Sequence, residues 1–219
     1  MKKLFSLSNK SDCTWLFVWV LIFMSFSILG IIWPNSPPVT LIKLSGIALC
    51  VIYSFLKFRK DGFLVFALFL TLTADIILAI NNVSIFGVGT FCLVQLVHTF
   101  RLSNYRPYIF IISILASIII FIVSVFNHTN PLYVMVGFYG LGLLFNIYLS
   151  GKWFFFKRTP ASRFAFIGFV LFLACDICVA VSFLSSTEVI PPFWQQIANY
   201  AAWFFYYPSQ ILISNSTTL

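Results

Sequence analysis

Three ionisable side chains stand inside otherwise apolar stretches: Lys43 in Thr40-Leu41-Ile42-Lys43-Leu44, Asp75 in Leu72-Thr73-Ala74-Asp75, and Asp176 in Leu173-Ala174-Cys175-Asp176. Holding such a group among apolar segments of a membrane costs at least about 2.5–3.5 kcal/mol on insertion scales, so each needs a partner or a task. Two carboxyl groups near one another can divide acid and base work. One stays protonated and donates, and the other ionises and stabilises a developing cation. The neutral polar residues Gln95, His98, Asn146, Asn199, Tyr206, Tyr207 and Gln210 accompany them. An amide can orient water or a headgroup but transfers protons poorly near neutral pH. Each residue also has a plainer reading. Lys43 can snorkel to a headgroup layer, the two Asp can join helices, and Gln95 alone suits helix–helix adhesion. His98, near Arg101, reads as interfacial, and most Tyr and Trp read as belt or packing residues.

The elements that must hold these residues follow from composition. The chain is 61% hydrophobic and only 8% charged, with a mean hydropathy of +1.03, which excludes a water-soluble globular domain. Eight apolar stretches are long enough for membrane helices: Trp15–Trp33, Val39–Leu56, Gly62–Ile80, Ile85–Phe100, Tyr108–Phe126, Leu132–Ser150, Phe164–Leu184 and Phe193–Ile213. They do not alternate as barrel strands would. Turn chemistry separates them, at Pro34-Asn35-Ser36-Pro37-Pro38, Asn81-Asn82, Asn127–Pro131 and Pro191-Pro192. The first stretch follows Lys2 and Lys3 but is too long for a signal sequence and lacks a small-residue cleavage site, so it reads as a span. The expectation is an all-α integral membrane protein: one polytopic domain over residues 1–219, folded as a bundle of eight transmembrane helices.

Charge sets the orientation. Of the 13 Lys and Arg, only Lys43 lies inside a span. The other twelve fall in the N-terminal tail and after the second, fourth and sixth spans, all on one side of an eight-span chain. The positive-inside rule then puts both termini in the cytoplasm. The net charge of +8 is thereby a topology signal, and no nucleic-acid partner is implied. On this topology Lys43, Asp75, Asp176 and Asn199 share a layer roughly 6–12 Å below the outer interface, at 1.5 Å per helical residue. Gln95 sits slightly deeper. Asn199, Trp203, Tyr206 and Gln210 recur at i, i+4, i+7 and i+11, one stripe leading inward from that layer. These residues are expected around one cavity.

Phe63–Ala79 (FLVFALFLTLTADIILA) echoes Phe164–Ala180 (FAFIGFVLFLACDICVA) at six of seventeen positions, the Asp included. Both segments run the same way through the membrane, as in a parallel four-plus-four repeat. Cys175 and Cys178 form C-x-x-C inside a span with no second pair, which implies neither a metal nor a redox centre. A zinc hydrolase would need a His cluster, and only His98 and His128 exist, on opposite sides. A retinal protein would need a Lys in a late span. No cofactor is implied.

With these residues in place, the chain resembles the YhhN family of lysoplasmalogenases, eight-span enzymes that cleave the vinyl ether bond of lysoplasmalogens. Lys43 matches a family Lys early in span two, though the family's following Pro is Leu44. Asp75 matches a Gly-Asp pair, here Ala74-Asp75. Cys175-Asp176 fits a small residue followed by Asp, and Arg163 matches an Arg before that span. Tyr206-Tyr207-Pro208-Ser209-Gln210 fits Y-Y-x-x-Q. In span four the pattern F-x-x-A-H-x-x-Y keeps Phe91, but Gln95 replaces the His and His98 the Tyr. The resemblance thus implies a divergent member, with Asp75 and Asp176 catalytic and Lys43, Gln95, Asn199, Tyr206, Tyr207 and Gln210 binding a lipid or lysolipid substrate. Richness in Phe, Ile, Lys and Asn suits an AT-rich bacterial genome, hence a bacterial cytoplasmic membrane. Two other classes accommodate the same residues: a small-solute or proton-coupled transporter using the Asp and Lys cluster, and a non-catalytic membrane protein of the same fold.

The topology has a direct test. On a Cys-free background, single Cys residues at Ser84 and Asn130 should label from outside intact cells, and those at Lys60 and Lys157 should not. External labelling at Lys60 would overturn the eight-span arrangement.

Overall fold

The structure is a computed structural model describing residues 10–33, 36–58, 61–81, 84–103 and 131–217, with residues 108, 111, 115, 119 and 122 between them. The described residues form seven helices and no strand. They are α1 (Lys10–Ile32), α2 (Pro37–Lys57), α3 (Gly62–Asn81), α4 (Ile85–Leu102), α5 (Pro131–Lys157), α6 (Pro160–Ser186) and α7 (Phe193–Ser214). They coincide with the first four expected spans and the last three. The fifth, Tyr108–Phe126, lies outside the continuously described residues. Five helices, α2 to α6, are long and apolar enough to cross a membrane, which marks a membrane protein. The apolar run described in α1, Thr14–Gly30, is shorter, and the length of α7 is interrupted by Gln, Asn, Tyr and Pro208.

Local chemistry sets the ends. Pro37 and Pro160 occupy first-turn positions, where a missing N–H costs nothing. Ser84 and Thr159 cap α4 and α6, accepting from Phe86 N at 3.3 Å and Ser162 N at 3.2 Å. Helices α2 to α7 pack as a ring in chain order, closed where α7 returns to α2. α1 lies outside against α2 and α7, and α3 also meets α7 within the ring.

The distribution of side chains is that of a protein dissolved in lipid. Phe86 and Phe156 are among the most exposed, whereas Gln95, Asn146, Gln210 and Arg101 are buried. Close helix approach comes from small residues, as membrane helices favour. The Tyr207 ring fills the space that a side chain at Gly46 would need. A Cβ at Gly168 would meet Ile213 Cγ1 at 2.8 Å and the α7 backbone at 3.2 Å.

One end of the ring is fastened by polar groups. Asp61 Oδ1 accepts from Leu64 N at 3.1 Å, capping α3, and Asp61 Oδ2 lies 3.9 Å from Arg101 Nη1. Arg101 also donates to the Ser216 carbonyl at 3.3 Å and to Ser216 Oγ at 3.1 Å, and Thr217 Oγ1 donates to Asp61 at 3.3 Å. Arg101, read from sequence as a loop charge, is instead fully buried in the last turn of α4. His98 also departs from its interfacial reading. It is buried, its ring edge-on to Phe169 at 5.1 Å.

The crowding at Gly168 in the α6–α7 contact and the open surroundings of Gly137 on α5 predict opposite outcomes for two glycines. Gly137→Ala, where a Cβ meets nothing within 4 Å among the described residues, should hold or raise the melting temperature in detergent. Gly168→Ala should lower stability by about 1–3 kcal/mol through overpacking against α7. Equal behaviour of the two variants would refute the close approach.

Candidate functional site

Asp75 projects from α3 towards α7, where its Oδ2 accepts a hydrogen bond from Tyr206 Oη at 2.6 Å. Asp176 on α6 accepts from Tyr139 Oη of α5 at 2.7 Å, again through Oδ2. Each carboxyl thus receives a neutral donor from another helix, which satisfies it without cancelling its charge when ionised. Phe172 of α6 links the two pairs: its ring centroid is 5.5 Å from that of Tyr206 and 6.4 Å from that of Tyr139. Phe91 of α4 completes the wall, at 6.1 Å from Phe172 and 5.7 Å from Tyr139. The Cys175 thiol lies within electrostatic reach of both carboxyls, as does the Tyr206 hydroxyl of that of Tyr139. The two Asp–Tyr pairs therefore form one assembly built from α3, α5, α6 and α7 and walled by α4.

One turn further along α4, Gln95 belongs to a separate buried network. Asn146 Nδ2 donates to Gln95 Oε1 at 2.8 Å and to the Gln95 carbonyl at 3.0 Å, and Asn146 Oδ1 accepts from Thr99 Oγ1 at 3.0 Å. Gly142 makes room for the Gln95 side chain. Gln95 Nε2 and His98 Nδ1 have no hydrogen-bond partner among the described residues. This network joins α4 to α5 and thereby holds the helix that carries Tyr139.

The remaining sequence candidates divide. Lys43 is half-buried, and its Nζ stands 4.5 Å from the Trp203 ring centroid. Among the described residues it makes no ion pair with Asp75 or Asp176. Trp203 packs edge-on to Tyr206 at 5.4 Å, so these two rings link the ammonium to the Asp75 pair. Asn199 is exposed and accepts from Ser182 Oγ at 2.8 Å, away from the carboxyls. Tyr207 points to α1 and α2, against Gly46 and 5.9 Å from the Phe23 ring. Gln210 is buried beside Ser209, with Nε2 at 3.5 Å from its hydroxyl.

Tyr139 was the residue missed by sequence reasoning. Its signal was a stripe: Met135, Tyr139, Gly142, Asn146 and Ser150 recur at i, i+4, i+7, i+11 and i+15, the rhythm of the α7 stripe. The internal echo does not extend to these bonds. Under a parallel repeat Asp176 would be served from α4, as Asp75 is from α7, but its donor comes from α5.

The Gln95–Asn146–Thr99 network yields a stability comparison. Asn146→Ala should destabilise the protein by about 1–3 kcal/mol, because it strands buried polar partners on α4. Asn199→Ala should change stability little. Thermal unfolding in detergent checks both, and an Asn146→Ala variant as stable as the parent would refute the role given to the network.

No curated protein and no solved structure matches the chain. A family model does: that of the YhhN family, over residues 38–217. The matched range contains Lys43, Asp75, Asp176 and the Tyr206–Gln210 segment, and with most of its length inside the match, the chain belongs to the YhhN family.

Proposed function

We propose that this protein is a lysoplasmalogenase-like membrane hydrolase that cleaves the vinyl ether bond of a lysophospholipid by carboxyl acid–base catalysis. The proposal includes the eight-span arrangement with cytoplasmic termini, in a bacterial cytoplasmic membrane. The observation that carries it is the pairing of Asp75 with Tyr206 and Asp176 with Tyr139 in one aromatic-walled assembly. Each carboxyl spends one oxygen on its tyrosine, and Oδ1 of each has no protein partner among the described residues, leaving it for substrate or water.

Hydrolysis begins when one carboxylic acid delivers its proton to the alkenyl carbon β to the ether oxygen, the one that carries the fatty chain. The positive charge then spreads over the adjacent carbon and the ether oxygen. The second carboxyl, ionised, stabilises that oxocarbenium ion and takes a proton from the water that adds to it. The resulting hemiacetal collapses: its hydroxyl proton leaves, the ether oxygen is protonated, and a fatty aldehyde separates from the glycerophospho alcohol. The proton count closes over the cycle. Phe91 and Phe172 keep bulk water from the intermediate, and the two tyrosines fix the carboxyl planes. Gln95, held by Asn146, orients groups and moves no proton.

A transporter is the second reading. It is favoured by the buried Arg101–Asp61 pair, which with Ser216 and Thr217 fastens one end of the ring as a gate would. The experiment separates the two. Purified protein given a 1-alkenyl lysophospholipid should release free aldehyde. Asp75→Asn and Asp176→Asn should each lower turnover by about 10²–10⁴-fold at matched expression and melting temperature. Gln95→His, which restores the family pattern, should retain or raise turnover. Parent protein that releases no aldehyde yet moves a solute into liposomes in an Asp-dependent manner would replace the enzyme with the transporter.

A further inference from the structure

We infer that Lys43 and Trp203 form an anion seat that selects substrate through its phosphate and is indifferent to the cationic headgroup beyond it. The inference rests on the hydrolase reading for the position of the reacting bond, but its test does not require turnover.

An ammonium group carries three N–H donors. Lys43 is half-buried on α2, yet among the described residues its Nζ has no hydrogen-bond or carboxylate partner. Its contact is the face of Trp203, at 4.5 Å. A cation–π contact neutralises nothing. It holds the charge in place and leaves the N–H groups directed away from the ring. A structural lysine near a carboxyl layer would be expected to pair with it, but both carboxyls here take tyrosine donors instead. The ammonium is therefore positioned and uncompensated, the state suited to a ligand anion.

Its location fits the phosphate of a lysolipid. Trp203 lies one turn from Tyr206 on the same face of α7, and Tyr206 holds Asp75. An anion on Lys43 is thus displaced towards the Asn199 end of α7 from the carboxyl that acts on the ether, with the glycerol unit between them. The alkenyl chain then runs along Phe172 and Phe91.

The same contact explains which part of the headgroup is ignored. The open face of a Trp is the usual seat for a quaternary ammonium. Here the protein's own cation already covers it. A choline or ethanolamine ammonium next to Lys43 would meet like charge, so discrimination falls on the phosphate.

Binding of saturated ether analogues, which lack the vinyl bond, tests this. Calorimetry of the full chain in neutral detergent would compare 1-O-alkyl lysophosphatidylcholine, the ethanolamine analogue, 1-O-alkylglycerol and inorganic phosphate. The two phospholipid analogues should bind within about threefold of each other. Alkylglycerol should bind about tenfold more weakly, as expected for loss of one partly solvated charge-assisted contact. Lys43→Met should remove that tenfold advantage for both analogues and leave alkylglycerol unchanged, and Lys43→Arg should restore most of it. Alkylglycerol binding as tightly as the phospholipid analogues, or a Lys43→Met variant with parental affinities, would overturn the seat. Inorganic phosphate binding as tightly as the analogues would overturn its assignment to a lipid. Failure of aldehyde release with these affinities intact would strike the hydrolase reading alone.

Discussion

A carboxyl group among membrane-spanning helices has no bulk water to satisfy it, and the bundle is organised around supplying that need from protein. Asp75 and Asp176 each receive a tyrosine hydroxyl from a different helix. The choice of donor matters. An ammonium partner would cancel a carboxylate's charge, whereas a phenol satisfies an oxygen and leaves the charge in place when the group ionises. Two such pairs meeting at Phe172 make a site able to hold negative charge in an apolar wall, which is where a developing cation is most strongly stabilised. The hydrogen bonds also tie α3 to α7 and α5 to α6, so the groups suited to chemistry are among those that close the ring. A change that weakens either bond acts on the helix arrangement as well as on the site.

Close contact between those helices depends on what is absent from their side chains. Gly168 lets the α7 backbone approach α6, and Gly46 admits the Tyr207 ring, which orients α7 so that the adjacent Tyr206 points the other way, at Asp75. Successive helical residues lie about 100° apart, so anchoring Tyr207 against α1 and α2 fixes Tyr206 towards the interior. At the end of the ring, Asp61 caps α3 while Arg101 binds the chain that follows α7. Removing either partner of a buried ion pair leaves an uncompensated charge, so this fastening specifies where α3, α4 and α7 end relative to one another more than it adds stability.

Much of this was legible in the sequence because membrane burial is severe about ionisable groups. Asp75 and Asp176 stood out for that reason, and their gathering on one aromatic wall followed from similar depth. Lys43 stood out too, but charge alone suggested a carboxyl partner. An aromatic face competes for a cation when the carboxyls already have donors, and nothing in the spacing reveals that. Tyr139 was hidden because a tyrosine in a membrane helix is commonly a belt or packing residue. Asn199 illustrates the opposite error: it shares a stripe with Tyr206 and Gln210, but a stripe twists about its helix, and at the α7 terminus it has turned outward to Ser182. His98 and Arg101 were assigned to the interface by nearness to a helix end, although long-range contacts with Phe169 and Ser216 bury both.

The exchange in α4 narrows the chemistry that the site can perform. Where the family pattern has His, this chain has Gln95, whose carbonyl is already engaged by Asn146. The imidazole has moved to residue 98, about 4.5 Å along the helix axis, where it packs on Phe169. An amide cannot relay a proton, and His98 faces a different layer from the two Asp–Tyr pairs. Proton transfer then falls to the carboxyls alone. That is sufficient for a vinyl ether, because protonation at carbon is assisted by the lone pair of the ether oxygen and the same carboxyl pair can both give the proton and accept one from water. With Gln95 in that place, the proposed ether hydrolysis rests its proton transfers on Asp75 and Asp176, each aligned by the hydroxyl of a tyrosine on a neighbouring helix.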